Sequence, residues 1–225
     1  MDRAVKCKEC DAEFVITEEE QESFKKNNIP ERQSCVKCIT ASLFKGMPEE
    51  TKKKLEEAQR KKEMYPKLTK KELAALPDNE LYDACILRTE KYDPVIYGDK
   101  AYKNAPVPCQ NIIAILMLDA QVLNGGFTQF YYNGYGGYAK EFDIDFAKAF
   151  ENLGLKETAK IIKDADKFYQ PFLHNLSAND NGSVEGYTKF LELCPENDFD
   201  DKYAELYNKN NLYVRRYIKK HIDVF

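Results

Sequence analysis

The sequence predicts a mainly α protein: a small four-cysteine module at the N-terminus, a charged helical connector, and an all-α helical domain. Three observations carry that expectation. Cys7, Cys10, Cys35 and Cys38 form two C-x-x-C pairs within the first forty residues. The stretch PEETKKKLEEAQRKKE, residues 48–63, carries 11 charged side chains in 16. From Leu68 onward apolar residues recur at spacings of three and four, with no strand-length alternation bounded by hairpin turns. A length of 225 residues suits one medium domain with a small appendage, and the expected divisions are 1–45, 46–67 and 68–225.

The four early cysteines read as one set. CKEC and CVKC each let two thiolates on a tight turn occupy two corners of a tetrahedron, about 2.3 Å from a zinc ion, and the two pairs together close the shell. The 24 residues between them, 11–34, suffice for a short hairpin and return. The expected cofactor is one structural Zn2+ on Cys7, Cys10, Cys35 and Cys38. Disulfides and a redox C-x-x-C remain as alternatives; the first are disfavoured in a cytosolic chain, and the second normally occurs singly, at a helix start in a βαβ unit. Thr17 followed by Glu20 is a capping box, which predicts a helix over Glu18–Lys26.

Beyond the cysteines, Phe14, the Glu-rich run 17–21, Phe24, Pro30 and Arg32 precede the second pair. On these features residues 3–40 resemble a family of small zinc-ribbon domains, and the resemblance implies a fold rather than an activity. Asp11 and Asn28 stand where that family usually has glycine. Ile39 stands where it tends to carry arginine, which weakens a nucleic-acid role for the ribbon and leaves direct binding there undecided.

In the connector, Glu49 with Lys53, Glu50 with Lys54 and Glu57 with Lys61 are i,i+4 pairs suited to a solvated helix. Interleaved glutamates nearly cancel its lysines, so a solvated helix is the expectation and a nucleic-acid patch the alternative.

In the helical domain, amphipathic helices are expected at Asp78–Thr89, 140–153, 156–169 and 183–193. A last helix repeats Val214, Ile218 and Ile222 every four residues and carries Arg215, Arg216, Lys219 and Lys220 on its other face. Those cations either complement the helix macrodipole or bind phosphate. The central helix opens at Pro108, and its run 112–118 has no polar face, so other helices should surround it. That run is the longest apolar one, far short of the roughly 20 residues that span a bilayer, and MDRAVKCKEC lacks a signal-peptide apolar region. The expectation is a cytoplasmic protein with no membrane partner.

The stretch LNGGFTQFYYNGYGGYA, 123–139, offers two readings. Asn124, Gly125 and Gly126 end the buried helix, Phe127, Phe130 and Tyr131 restart an apolar face, and 133–137 breaks again. That describes a structural kink. Alternatively Asn124, Gln129, Asn133 and the glycine amides form a ligand site beside tyrosines, although no strand precedes it and no phosphate-loop pattern is present.

No catalytic residue is assigned. The histidines are His174 and His221, and no nucleophile elbow, zincin motif or Cys/His constellation is visible. Cys85 and Cys109 read as packed thiols, and Asp119 as a carboxylate beside the buried helix. The chain is therefore expected to be a non-catalytic interaction protein. The alternative is an enzyme or ligand sensor acting on a nucleotide or nucleic acid, with NGGFTQFYYN as its site.

NGGFTQFYYN follows an apolar helix ending in Gln121 and precedes Asn152, Leu153 and Gly154; the chain closes on DFDDKYAELY and YVRRYIKKHIDVF. On these residues the span 70–225 resembles the DNA-mimic-protein-like family, compact all-α bacterial proteins mostly of unassigned function. The resemblance implies an all-α domain, leaves homodimerisation open, and implies a protein partner, specifically a basic DNA-binding protein held by an acidic surface that imitates duplex phosphates.

Charge limits that implication. Lys plus Arg is 34 against 38 for Asp plus Glu, so nothing favours whole-chain attraction to nucleic acid, and direct nucleic-acid binding by the helical domain is not expected. Duplex DNA presents one charge per about 1.7 Å of axis, whereas residues 63–225 hold 25 acids and 20 bases. The excess concentrates in 192–205, where Glu192, Glu196, Asp198, Asp200, Asp201 and Glu205 face Lys202 alone. Glu196, Asp198, Asp200, Asp201 and Glu205 are the expected partner-binding residues; the other reading is a solvated loop whose aspartates cap the next helix.

Overall fold

The computed structural model describes residues 1–134, 142, 144–173 and 183–225; the expected loop residues 135–137 and His174 lie outside these. The chain divides into two compact units, Met1–Lys61 and Lys62–Phe225.

The first unit opens with an antiparallel hairpin of β1 (Arg3–Lys6) and β2 (Glu13–Ile16), in a register that runs from Arg3 opposite Ile16 to Lys6 opposite Glu13. The hairpin turn holds the first cysteine pair and closes with the Asp11 amide donating to the Cys7 carbonyl at 2.9 Å. Helix α1 (Glu18–Lys26) starts on the expected capping box: the Thr17 hydroxyl accepts from the Glu20 amide, and the Glu20 carboxylate from the Thr17 amide. Past its end, Ile29 N–H returns to the Phe24 carbonyl at 2.9 Å. Asp11 (φ 58°) and Asn28 (φ 52°) are the non-glycine residues with positive φ among those described. These are the two places where the ribbon family has glycine. Asp and Asn tolerate left-handed backbone better than other side chains, so both turns form without glycine.

Arg32 fastens the unit. Its guanidinium pairs with Glu20 at 3.0 Å, donates to the Val15 carbonyl at 2.9 Å, and lies 4.8 Å from the Phe14 ring centroid. Two helices follow, α2 (Val36–Gly46) and α3 (Glu49–Met64). Helix α3 is the charged stretch. Lys54 pairs with Glu50 and Lys61 with Glu57, as the i,i+4 spacing predicts, while Glu49 takes Lys52, three residues on, in place of Lys53.

In the second unit the described residues form helices and short turns without a strand: α4 (Lys70–Ala74), α5 (Asp78–Thr89), α6 (Pro94–Tyr97), α7 (Asp99–Lys103), α8 (Val107–Tyr132), α9 (Phe146–Asn152), α10 (Lys156–Leu173), α11 (Val184–Leu193) and α12 (Phe199–Lys220). Helix α8 is the centre, with Ile112, Ile115 and Leu118 buried and α5, α9, α10, α11 and α12 packed around it. By length and composition α8 is also apolar enough to cross a membrane; here Ile112, Ile113, Ile115, Leu118 and Val122 lie within a helical core.

Aromatic rings fill the layer between α8 and its neighbours. Tyr131 stacks on Tyr169 at 4.8 Å, and Phe130 meets Phe146 edge-on at 5.2 Å, offset geometries that suit ring quadrupoles. Helix α9 begins at Phe146 rather than near 140, because the Asp145 carboxylate accepts from the Lys148 amide at 2.7 Å and caps it there. Lys140, Glu141 and Asp143 lie outside the described residues.

Candidate functional site

The four early cysteines converge. Cys7 follows β1, Cys10 sits in the hairpin turn, Cys35 is the N-cap of α2, and Cys38 lies in that helix's first turn. Their Sγ atoms all lie within 4.8 Å of one another, and Cys10 and Cys35 are 3.8 Å apart. A tetrahedral site with metal–sulfur bonds of about 2.3 Å needs edges of about 3.8 Å, so the cluster fits one metal ion in a shell of four thiolates. None of the four is in a disulfide.

The second pair differs from a plain turn in being placed at a helix start, with Cys35 as the N-cap and Cys38 in the first turn. Cys35 N–H donates to Cys7 Sγ at 3.2 Å, and this contact heads the causes that bring the Cys7 thiol down to about 6. Cys38 is pushed up to about 12, first by its hydrogen bond to Cys10 and then by burial. Metal coordination would deprotonate all four alike.

The NGGF segment is a break within α8. Gly125 (φ −153°, ψ 23°) and Gly126 (φ 77°, ψ 179°) leave helical geometry, and the helix resumes at Phe127. The restarted helix is capped from far along the chain: Phe127 N–H donates to Asp200 Oδ1 at 2.7 Å. A Cβ on Gly126 would lie 2.2 Å from Asp200 Oδ2. Glycine is needed both for the positive φ and for the room the carboxylate takes.

Around this break the polar candidates bond to one another. Asn133 donates to Gln121 at 2.8 Å, Gln129 to Gln121 at 3.2 Å, and Asn124 to Gln129 at 3.4 Å. Asn124 and Asn133 are exposed, while Phe127 and Phe130 are buried in the core. The motif thus has an amide cluster outside and an aromatic anchor inside. Gln121, the hub of the cluster, was not singled out as a site residue in the sequence, because its partners lie across a break that helical spacing does not anticipate.

The five acidic residues are exposed and lie at the start of α12 or just before it. Asp198 pairs with Lys202 at 2.8 Å, which holds its carboxyl below the usual range, and Asp200 is engaged at the kink. Glu196, Asp201 and Glu205 have no cation within ion-pair distance among the described residues.

Asp119 accepts a 2.5 Å hydrogen bond from the Tyr203 hydroxyl, and burial pushes its carboxyl up to about 6. Burial likewise raises Cys85 to about 12 and Cys109 to about 11, leaving both as thiols at neutral pH.

The chain matches the family described as DMP19-like protein over residues 103–221, from the end of α7 to the residue after α12. That span holds the kink and the acidic segment and excludes the cysteine module. No curated protein and no solved structure matches the chain.

Proposed function

Because the chain belongs to the family of DMP19-like proteins, we propose that it is a non-catalytic interaction protein whose helical domain binds a basic protein partner, with DNA mimicry as the specific form. The family match carries this reading. Glu196, Asp201 and Glu205 supply the contact, being exposed acids without a neighbouring cation among the described residues. In the same reading the cysteine module, 1–45, holds one structural zinc ion. The segment 46–67 is a connector to the domain 68–225, and the compartment is the cytoplasm, where thiols stay reduced. Zinc in a closed thiolate shell supplies folding energy and no open coordination position.

The test is capture of native partners by the full chain and by the variant carrying Glu196→Lys, Asp201→Lys and Glu205→Lys, which leaves Asp198 and Asp200 in place. Capture of a basic DNA-binding protein is expected, weakening as salt screens the contact, displaced by duplex DNA, and lost in the variant. Undiminished capture by the variant would remove the acidic face from the contact. A captured partner indifferent to duplex DNA would remove the mimicry.

A further inference from the structure

The four cations near the C-terminal end of α12 fall on two faces. Arg215 lies 4.5 Å from the Tyr82 ring centroid and donates to Asn79 Oδ1 at 2.9 Å, and Lys219 pairs with Asp78 at 2.7 Å. Arg216 and Lys220, each one position further on, have no carboxylate within ion-pair distance among the described residues, and the Arg216 guanidinium lies 5.8 Å from the Tyr213 ring centroid. They line a cleft of about 500 Å³ in the helical unit, together with the rings of Tyr213, Tyr217 and His221, and no acidic side chain is among its lining.

The floor of the cleft is polar and built. Asn111 from α8 is 5% exposed. Its amide donates to the Tyr217 hydroxyl at 2.8 Å, and its carbonyl accepts from Asn152 at 3.1 Å. Since the Tyr217 oxygen already accepts from Asn111, its proton is left to donate elsewhere. The charged groups of the cleft are cations alone, in a unit whose overall charge is acidic. The α12 C-terminus contributes about half a negative charge, which two cations exceed.

We infer that this cleft binds a small phosphorylated ligand of mononucleotide size. The phosphate is held by the Arg216 fork and the Lys220 point charge, a pairing that suits phosphate oxygens. The planar ring lies against Tyr213 and Tyr217, since every base offers a face to an aromatic side chain. The volume falls within the roughly 300–1,000 Å³ usual for small-molecule sites. The site is separate from the acidic contact face and does not depend on it.

Calorimetric titration of the full, metal-loaded chain with AMP, ribose 5-phosphate, inorganic phosphate and adenosine tests this inference. AMP is expected to bind saturably, ahead of ribose 5-phosphate and phosphate, with adenosine weakest. Arg216→Gln with Lys220→Gln should weaken AMP by more than about tenfold, because both charge-assisted contacts to the phosphate are lost. The charge-matched control Arg215→Gln with Lys219→Gln should leave it unchanged. The inference is overturned if AMP does not saturate at millimolar concentration, or if both double variants weaken it equally. It is also overturned if ribose 5-phosphate binds as well as AMP, or if a single-stranded oligonucleotide binds where AMP does not.

Discussion

The two units of this chain are held together by opposite means. Residues 1–61 bury two apolar side chains, Cys7 and Ile16, whereas the second unit buries a contiguous core that includes Leu73, Ile112, Phe127, Phe150 and Tyr203. Burial contributes roughly 25 cal/mol per Å² of apolar surface against about 1–2 kcal/mol of backbone entropy per ordered residue. On those magnitudes the helical unit can hold itself and the cysteine unit cannot. What orders the first unit is a set of polar latches, Arg32 on Glu20 and the Thr17 capping box, and these fix direction more than they stabilise. The comparison teaches that a well-defined geometry need not come from a core, provided that something ties the turns together, and four converging cysteines are placed to do so.

Removing the proposed zinc ion is the largest perturbation available. Cys35→Ser with Cys38→Ser, or an excess of chelator, should abolish one equivalent of bound zinc and collapse the dispersed amide resonances of the first unit, because structural zinc contributes about 10–16 kcal/mol in apparent terms. Thermal unfolding of the helical unit should not move. Resonances that persist without metal would break the comparison.

The reciprocal experiment is Gly126→Val. At φ 77° and ψ 179° Gly126 sits in a backbone region essentially restricted to glycine, which costs a side chain about 1–3 kcal/mol, and a crowded Cβ facing the Asp200 carboxylate adds roughly 1–3 kcal/mol. Urea unfolding of the helical unit should show a loss of that order, with metal content unchanged; full stability would show that the Asp200 cap is dispensable.

Asp119 sharpens the contrast through pH. Its carboxyl is raised from 3.8 to about 6 in the folded chain, so between those values the folded state keeps a proton that the unfolded state releases. The stability that Asp119 contributes to the helical unit is therefore fully present below about pH 4 and is lost as pH rises through about 6. Asp119→Asn, which still accepts from Tyr203, should flatten that slope and stabilise the unit at neutral pH by on the order of 1–3 kcal/mol. An unchanged slope in denaturation midpoints from pH 4 to 7 would assign the titration elsewhere.

The smallest effects come from matching caps, since Thr17 and Thr69 each close a capping box. Thr17→Ala and Thr69→Ala should each cost about 1 kcal/mol. The loss appears in the first unit as zinc affinity weakened by about fivefold, and in the second as a lower unfolding midpoint. Equal effects on both readouts from either variant would mean that the units do not unfold separately.

What could be read from the sequence is what neighbours along the chain decide. The Thr17–Glu20 box and the Gly125–Gly126 break follow from local chemistry, as does the grouping of four cysteines. Helix α2 was hidden because its N-cap is Cys35, a residue that offers no side-chain cap, and α6 and α7 are too short to show a period. The sequence pattern sets the start of α9 too early because Phe142 and Ile144 are buried outside the helix, which prolongs the apolar pattern beyond the cap. The division of the α12 cations into paired and unpaired faces depends on Asp78 and Asn79, more than a hundred residues away in sequence. Nothing in the spacing of 215–220 could show it.

The cap on Phe127 also sets an order of events during refolding. Its acceptor, Asp200, lies 73 residues further along the chain, and closing such a loop costs entropy before any contact rewards it. The longer part of α8, ahead of Gly125, takes its backbone hydrogen bonds from within its own turns. The part beyond it begins at an amide that waits for the first turn of α12. Protection from hydrogen exchange should accordingly reach residues 112–118 early and 127–132 late, so that one helix assembles as two kinetic segments joined at a pair of glycines.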